Sequence, residues 1–562
     1  MIKVRCPEKP NTQDISNIYS NIVPGMMSLI NTNYDYLETM GISEESPVVG
    51  IIVSVYYLGC AVGAVLFSWF ADVKGRKPSI FACLAITAIG NLIMFISGLG
   101  FRNRAIVLMF LGRIIMGLGV GGIDSVIPVY SSELSSEDGR GRALAQEFQA
   151  NIFGLNMAFA INLGVTTALT KHNQWGKWAV HIIIERMLLK CGAAWRIPII
   201  VMQVYPVLLL SFISRLPESP RWLIYHDRHD DARTSLRTMY GEDKAEGKLE
   251  DLIQAHNDES SKLINYSDML WPSGQEFHPT MVTIMGQVNQ ALTGYGAVSV
   301  YGPQIFELLG FGVSMAEYLT QGNYISYFIL MTLAWILIDR VGRRPLMIGG
   351  AFGISACFAL LTLMGGFAVN NKQLGIPKLA VAVPGTVLLY LATGLFGIGW
   401  LTQPWLIPTY EAILHLLMTM LTNPREIYPS TARAQGSAIS VIIWGLANFA
   451  VTLLTPIGFN NLDYWLFLAF AATNAFAGIW TWVGCFSPWG SLVWLLTTVP
   501  QMYSPETGGR SFEENQGFFQ DAGEEKTWRV HKVGKGEFKG MPKPKKQDGD
   551  DTESTPLLGN SS

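Results

Sequence analysis

Charge is what this sequence has least of: Asp, Glu, Lys and Arg supply 15% of its 562 residues, against about 25% in soluble domains. A globule with a charged shell is therefore a poor fit. Cysteine is also sparse, with six residues scattered singly, which gives neither a disulfide framework nor metal-ligand spacing. The chain contains no G-x-x-x-x-G-K-[ST] stretch, so neither ATP-driven chemistry nor any other cofactor has support. A net charge of −3 offers nothing to nucleic acid. Met1 to Ile22 lacks the apolar centre of a cleavable signal peptide.

Apolar residues, by contrast, make up 49% of the chain. They gather into blocks long enough to cross about 30 Å of hydrocarbon, which takes about 20 helical residues. In the first half these are Ile51–Ala71, Ile80–Gly98, Ile106–Tyr130 and Ile197–Ile213. In the second they are Met281–Tyr301, Tyr324–Ile338, Leu346–Val369, Val381–Ile407, Ala438–Ile457 and Tyr464–Trp482. Gly141–Leu169 is more polar, with Glu147, Gln149, Asn151, Asn156 and Asn162, yet both of its neighbours span. It is expected to span too, with its polar face turned inward. The predicted class is an all-α, multi-pass membrane protein.

Basic residues sort onto alternate connections: Lys74, Arg76 and Lys77; Arg140 and Arg142; the 214–279 stretch; Arg340, Arg343 and Arg344; and Arg433. The positive-inside rule makes those connections and the C-terminus cytoplasmic. The same signals also recur in the same order. Asp72, Gly75, Arg76 and Lys77 answer to Asp339, Gly342, Arg343 and Arg344; Glu133 stands before Arg140 at the spacing of Glu426 before Arg433. Pro217, Glu218, Ser219 and Arg221 find a counterpart in Pro505, Glu506, Thr507 and Arg510. One such turn is commonly only a tight basic connection, but three in register point to a duplicated bundle. Acids and arginines at the cytoplasmic helix ends can pair between helices and re-pair as the halves rock.

These residues resemble the sugar porter family of the major facilitator superfamily, in its fungal form, from about Gly50 to Glu514. The resemblance rests on Arg113 with Gly117 and Gly121; Pro128, Tyr130 and Glu133; Arg140 and Gly141; Pro217 to Arg221; Gln290, Gly294 and Tyr301; Pro404 with Trp405; and Pro505 to Thr507. It implies two six-helix bundles and transport of a sugar or polyol by alternating access, by proton symport or facilitation. About 11 family-like helices are evident and the first is expected to be missing. The lipid bilayer and one monomeric chain are the expected setting, in the plasma membrane, with a vacuolar or endosomal membrane as the alternative.

Carried over by residue, Gln290, Trp405 and Asn448 are expected to bind substrate, with Gln149 beside the usual helix-five position at Phe148. Ala291, Gly296 and Tyr327 stand where the family has amides, which keeps a sugar other than glucose, or a polyol, open. A cytoplasmic gating network is expected from Asp72, Arg76, Arg113, Glu133, Arg140, Glu218 and Arg221 in one half, and from Asp339, Arg343, Glu426, Arg433 and Glu506 in the other. Asp124 and Glu147 lie inside spanning blocks, where an ionisable group is costly. Each either braces the bundle by pairing with a neighbour or carries a coupling proton.

The expected organisation is an N-terminal segment (1–47), a first bundle (48–213), a central loop (214–279) whose Arg228, Arg233 and Arg237 would meet the membrane surface, a second bundle (280–482) and a mostly disordered cytoplasmic tail (503–562). That tail contains a dileucine-like Glu553, Leu557 and Leu558. Three stretches, 176–193, 410–425 and 483–502, interrupt motifs that read through without them. They are expected to be intervening sequence carried into the reading frame, with lineage-specific loops as the alternative. Two competing readings stay open: a non-transporting nutrient sensor of the same fold, and a non-functional product of a misassembled gene.

Overall fold

The computed structural model describes residues 33–43, 46–98, 105–134, 140–170, 193–213, 216–259, 277–341, 343–370, 377–402 and 430–483, plus positions 27, 28, 30, 31, 269, 270, 404 and 405. The interrupting stretches and the tail lie almost wholly outside these residues. Among the described residues the chain is helical, with no strand.

The first half comprises α1 (Tyr34–Met40), α2 (Pro47–Lys74), α3 (Arg76–Ile96), α4 (Ala105–Leu134), α5 (Arg140–Thr170), α6 (Ala193–Met202) and α7 (Val204–Ile213). The central loop folds into α8 (Pro220–Tyr225), α9 (His229–Tyr240) and α10 (Glu242–Glu259). The second half runs α11 (Phe277–Leu292), α12 (Tyr295–Val300), α13 (Gly302–Leu308), α14 (Val313–Arg340), α15 (Arg343–Val369), α16 (Lys378–Phe396), α17 (Ser430–Leu462) and α18 (Trp465–Val483).

Eight of these helices are long and apolar enough to cross a membrane. Their outer faces carry Trp69, Leu66, Leu92, Val387 and Leu379, each more than half exposed. Such a belt would aggregate in water and is at ease in hydrocarbon. Helix starts follow local chemistry. Ser46 caps α2 by accepting from Val48 N at 3.3 Å, and Pro47 sits in the first turn, where its missing N–H costs nothing. Without an aqueous driving force between helices, close approach of small residues takes over. A Cβ at Gly59 of α2 would stand 3.0 Å from Gly117 Cα of α4, and one at Gly112 of α4 would stand 2.9 Å from Gly90 O of α3.

Two predicted spans differ from what is found. Met281–Tyr301 was expected as one helix, but it breaks at Gly294, whose φ of 81° is left-handed, and again at Tyr301. A side chain at 294 would also meet the Phe470 ring at 2.7 Å. The block expected from Tyr324 begins at Val313 instead. Its first turns are too polar to read as a span, yet they remain helical because Gly312 O accepts from Ala316 N at 2.9 Å and Ala316 O from the Thr320 hydroxyl at 2.8 Å. Gln149, Asn151, Asn156 and Asn162 of α5 are all buried, as the inward-facing reading of that block requires.

The halves meet chiefly along α2 against α17 and α5 against α14, and α4 also touches α17, where Ser437 donates to Ser125 O at 3.2 Å. At the outer end Met27, Ile30, Tyr36, Val49 and Tyr301 share one core with Phe459, closing that end of the seam. Beneath the first half, α8 to α10 form a small core of their own around Trp222, Leu236 and Leu249. Two of the loop arginines form exposed ion pairs, Arg228 with Asp231 at 2.7 Å and Arg233 with Glu246 at 2.9 Å.

Candidate functional site

The charged cluster of the first half, on the end expected to be cytoplasmic, is assembled by the tight turn between α2 and α3. Gly75 takes φ 103°, and a Cβ there would lie 2.7 Å from Glu218 Oε2. That space lets the Glu218 carboxylate cap α3, accepting from Arg76 N at 2.9 Å and Lys77 N at 3.2 Å. Arg76 turns back to pair with Asp72 at 2.6 Å and Glu133 at 3.2 Å. Burial pushes the Glu133 carboxyl up, but Arg76 outweighs it, and Arg221 adds to the pull, so it is held below the usual carboxylate range. Tyr130 donates to Pro217 O at 2.6 Å, and the Trp222 indole to Asp72 O at 2.9 Å. The central loop is thereby fastened to α2, α3 and α4 together.

Arg113, grouped with this cluster from sequence, lies elsewhere. It stands about 30 Å up the same helix from Glu133, buried at 1% exposure, and donates to Ile52 O at 3.1 Å and Val53 O at 2.8 Å. Its position near the outer end of α4 prevents any part in the cytoplasmic pairs. The side chains of Arg140, Glu147, Asp339, Arg343, Glu426, Arg433 and Glu506 fall outside the described residues.

At mid-depth the second half brings its amides together. Gln290 on α11 donates to Trp400 O at 2.7 Å and Leu401 O at 2.9 Å. Those carbonyls belong to a π-helical turn, Gly397–Leu401, that ends α16. Such turns leave carbonyls out of the ordinary ladder, and here a side-chain amide takes them up. Gln287, one turn earlier, donates to the Ser440 hydroxyl at 2.7 Å. Both glutamine carbonyl oxygens and the Thr402 hydroxyl are buried with no hydrogen-bond partner among the described residues, and the hydroxyls of Tyr295 and Tyr327 lie beside one another. This concentration of unmet polar atoms is what a hydroxyl-bearing ligand would satisfy.

Asn448 of α17 donates to Trp444 O at 2.9 Å, and its other amide atom would meet a Cβ at Gly296 at 3.2 Å. Gly296 thus keeps room open in front of Asn448. A chain of rings crosses between the halves: Tyr57 to Trp444 at 5.4 Å, Trp444 to Trp405 at 5.9 Å, and Trp405 to Phe148 at 6.1 Å. Phe148 therefore faces Trp405. Gln149, one residue round the helix, turns to α14 and donates to Phe328 O at 3.2 Å and the Thr332 hydroxyl at 3.1 Å. Tyr327 packs on Tyr295 at 5.2 Å, and Tyr295 stacks on Phe396 at 4.2 Å. An aromatic wall thus stands where the family motif has an amide. Asp124 faces the first bundle with no ion pair or hydrogen bond among the described residues, and Tyr56, Cys60 and Cys83 are its polarisable neighbours. No group of His, Cys, Asp and Glu among the described residues is arranged to hold a metal ion.

This arrangement of two bundles around a polar seam agrees with comparison to known proteins. The profile of the family "Sugar (and other) transporter" matches residues 12–491. The chain belongs to that family. It is 28% identical to Sugar transporter STL1 of Saccharomyces cerevisiae over 86% of this chain and 74% of that protein. It is 27% identical to MFS-type transporter oryC of Aspergillus oryzae over 80% and 77% of the two chains. Against the Major myo-inositol transporter IolT of Bacillus subtilis the figures are 26%, 73% and 76%. The xylose transporter XylE from E. coli, in a partially occluded inward open conformation, shares the fold at a TM-score of 0.64 and 19% identity, covering 89% of this chain and 98% of that one. The major facilitator fold expected from the duplicated motifs is the fold found, in an integral multi-pass membrane protein.

Sequence reasoning missed Gln287, Tyr57, Trp444 and the π turn. The three-residue spacing of Gln287 and Gln290 would have found the first, since it places both amides on one face of α11. Nothing local marks the π turn except its glycines. Gly399 is needed because a Cβ there would approach Leu346 O at 2.7 Å.

Proposed function

We propose that this family member carries a sugar or polyol across its membrane by alternating access, with Gln290, Gln287, Asn448 and Trp405 forming the binding surface. The observation that carries the reading is the cluster of buried, unmet amide and hydroxyl atoms on α11 to α16, set against a tryptophan face at the seam between two similar halves. Amides serve adjacent hydroxyls, and an indole covers the apolar side of a sugar ring. Gln149 takes a bracing place between the halves in this reading, and Phe148 the wall position.

Proton coupling is the second part of the proposal, and it rests on Asp124, a partnerless carboxylate in a spanning helix. A proton on that group would remove a charge from the spanning region as solute enters. The solved relative XylE is described as a proton:xylose symporter, which supports looking for such a group here. One chain is the proposed working unit, and the plasma membrane is its proposed place. No observation favours a signalling sensor or a non-functional product.

The test is uptake of a labelled panel of hexoses, pentoses, inositol and linear polyols by proteoliposomes containing the purified chain, with and without an imposed proton gradient. Accumulation of one class, abolished in Gln290→Ala, is expected. An intact, folded chain that moves none of the panel would overturn the reading.

A further inference from the structure

Sequence marks α5 as a spanning helix with several amides, and the proposed binding surface takes none of them. Gln149 and Asn156 are 7% and 9% exposed. They stand seven residues apart, which puts both on one face of the helix, about 10 Å from each other along its axis. That face looks across the seam at α14 of the other half. Gln149 donates to Phe328 O at 3.2 Å and to the Thr332 hydroxyl at 3.1 Å. Asn156 donates to Tyr324 O at 2.8 Å and accepts from the Gln321 amide at 3.2 Å. Between the two, Ile152 enters the core of the second half, and the Phe153 and Phe328 rings meet at 5.9 Å.

Helices packed in hydrocarbon need only the close approach of small side chains, yet this seam, which has to open for transport, is bonded at two depths. Gln149 is nine residues from the start of α5 and Thr332 eight from the end of α14, so their pair lies about 12 to 14 Å in from the end that bears the charged knot. Asn156 is sixteen residues into α5, and Gln321 is eight residues from the opposite end of α14, which places the second pair in the far half of the seam. A rocking motion that parts the halves at one end must break the pair at that end and can keep the other. Water entering the parted end re-forms the lost bonds, so each exchange is close to even and the seam opens reversibly.

We infer that α5 and α14 carry two opposed latches: Gln149 with Thr332 closes the seam toward the charged knot, and Asn156 with Gln321 closes it toward the far end. Both are made here, beside the closed core of Val49, Tyr301 and Phe459. The balance between them sets the side to which the binding surface opens. These are positioning residues of the transport cycle and act without touching the solute. The latches rest on alternating access as proposed above and name the residues that bias it.

Two thiol reporters test this in the purified full-length chain in detergent, with no solute present. Val49→Cys replaces a side chain of the far-end core that is 4% exposed, and Ser437→Cys one that is 2% exposed where α17 meets α4 on the knot side. Each is labelled with a small maleimide, and the chain without either reporter gives the rate of the native thiols. Asn156→Leu should speed labelling of Val49→Cys by about three- to tenfold and leave Ser437→Cys no faster, while Gln149→Leu should do the reverse. Gln321→Leu and Thr332→Val remove one bond each at less buried positions. They should follow in the same directions, and they decide the matter if the amide variants do not fold. Equal acceleration of both reporters by every variant would overturn the latches, leaving only a loosened bundle, and so would no change at either reporter. Uptake of the sugar panel can stand in both of those cases. Opposed shifts with no uptake of the panel would instead strike the solute reading and leave the latches in place.

Discussion

The two halves descend from similar motifs, but their polar groups do different work. In the first half the buried amides of α5 stand beside charges: Arg76, Asp72, Glu133 and Glu218 knotted at one end of the bundle, with Asp124 and Arg113 further along α4, neither in an ion pair among the described residues. At mid-depth of the second half the described polar groups are neutral: Gln287, Gln290, Tyr295, Tyr327, Asn448 and Thr402, several with one atom bonded and one unmet, while the charged side chains of Asp339, Arg343, Glu426 and Arg433 lie outside the described residues. Charge suits a part that must latch or exchange an ion, because pairing is strong only when geometry is right. Neutral amides suit a part that must bind and release a hydroxylated solute, because each exchange with water is close to even. The charged knot of the first half is suited to hold a state, and the amide cluster of the second to hold a ligand.

Breaking the charged knot should have the largest effect. The Arg76 and Glu133 side chains are 10% and 6% exposed, so Glu133→Ala strands a buried guanidinium with only Asp72 beside it. A loss of about 3 kcal/mol is expected, read as a lowered unfolding midpoint in detergent. The acid side of the stability curve checks the same pair. Because Arg76 holds the folded Glu133 carboxyl below its unfolded value, the contribution is fully present above the ordinary carboxylate range and is lost as pH falls through the lowered value. Glu133→Gln should therefore flatten the decline of the midpoint in acid.

The neutral half should answer through uptake rather than stability. Gln290→Ala leaves the carbonyls of Trp400 and Leu401 unmet and removes a ligand amide, so uptake should fall by about tenfold, with a smaller change in midpoint than Glu133→Ala produces. A midpoint loss as large as that of Glu133→Ala, with uptake intact, would erase the distinction between the halves. Asp124→Asn should come next. Its uptake at neutral pH is expected to stay within about threefold of the parent chain, while the dependence of uptake on external pH is lost. Unchanged pH dependence would remove Asp124 from the coupling proposal.

How much of this could be read from residues alone follows the same division. The charged knot was legible because Asp72, Arg76, Glu133 and Glu218 sit in fixed motifs at helix ends, where spacing along the chain sets spacing in the fold. Arg113 was misplaced because it belongs to a family motif without lying near that motif's cytoplasmic members; counting turns along α4 would have separated it from Glu133. Gln290 and Asn448 were legible as positions, but their bonds were not, since Gln290 meets a π turn that no local pattern announces. Phe148 and Gln149 differ by one residue, and a helix turns about 100° between neighbours. Only packing against Trp405 and Thr332 shows which of them faces the seam.

The smallest expected effect isolates burial from pairing. Arg233 and Glu246 in the central loop form the same kind of ion pair as Arg76 and Glu133, at 2.9 Å against 3.2 Å, but their side chains are 39% and 54% exposed. Water already solvates both partners, so removing one leaves no stranded charge. Arg233→Ala should move stability by no more than about 0.5 kcal/mol, and added salt should shrink even that, because exposed charges are screened within about 10 Å at 0.1 M. The shorter bond should thus be the weaker contributor. Were Arg233→Ala to lower the unfolding midpoint as far as Glu133→Ala, the strength of the cytoplasmic knot would lie in ion pairing itself, and the buried position of Arg76 would lose its special place in the account of the first half.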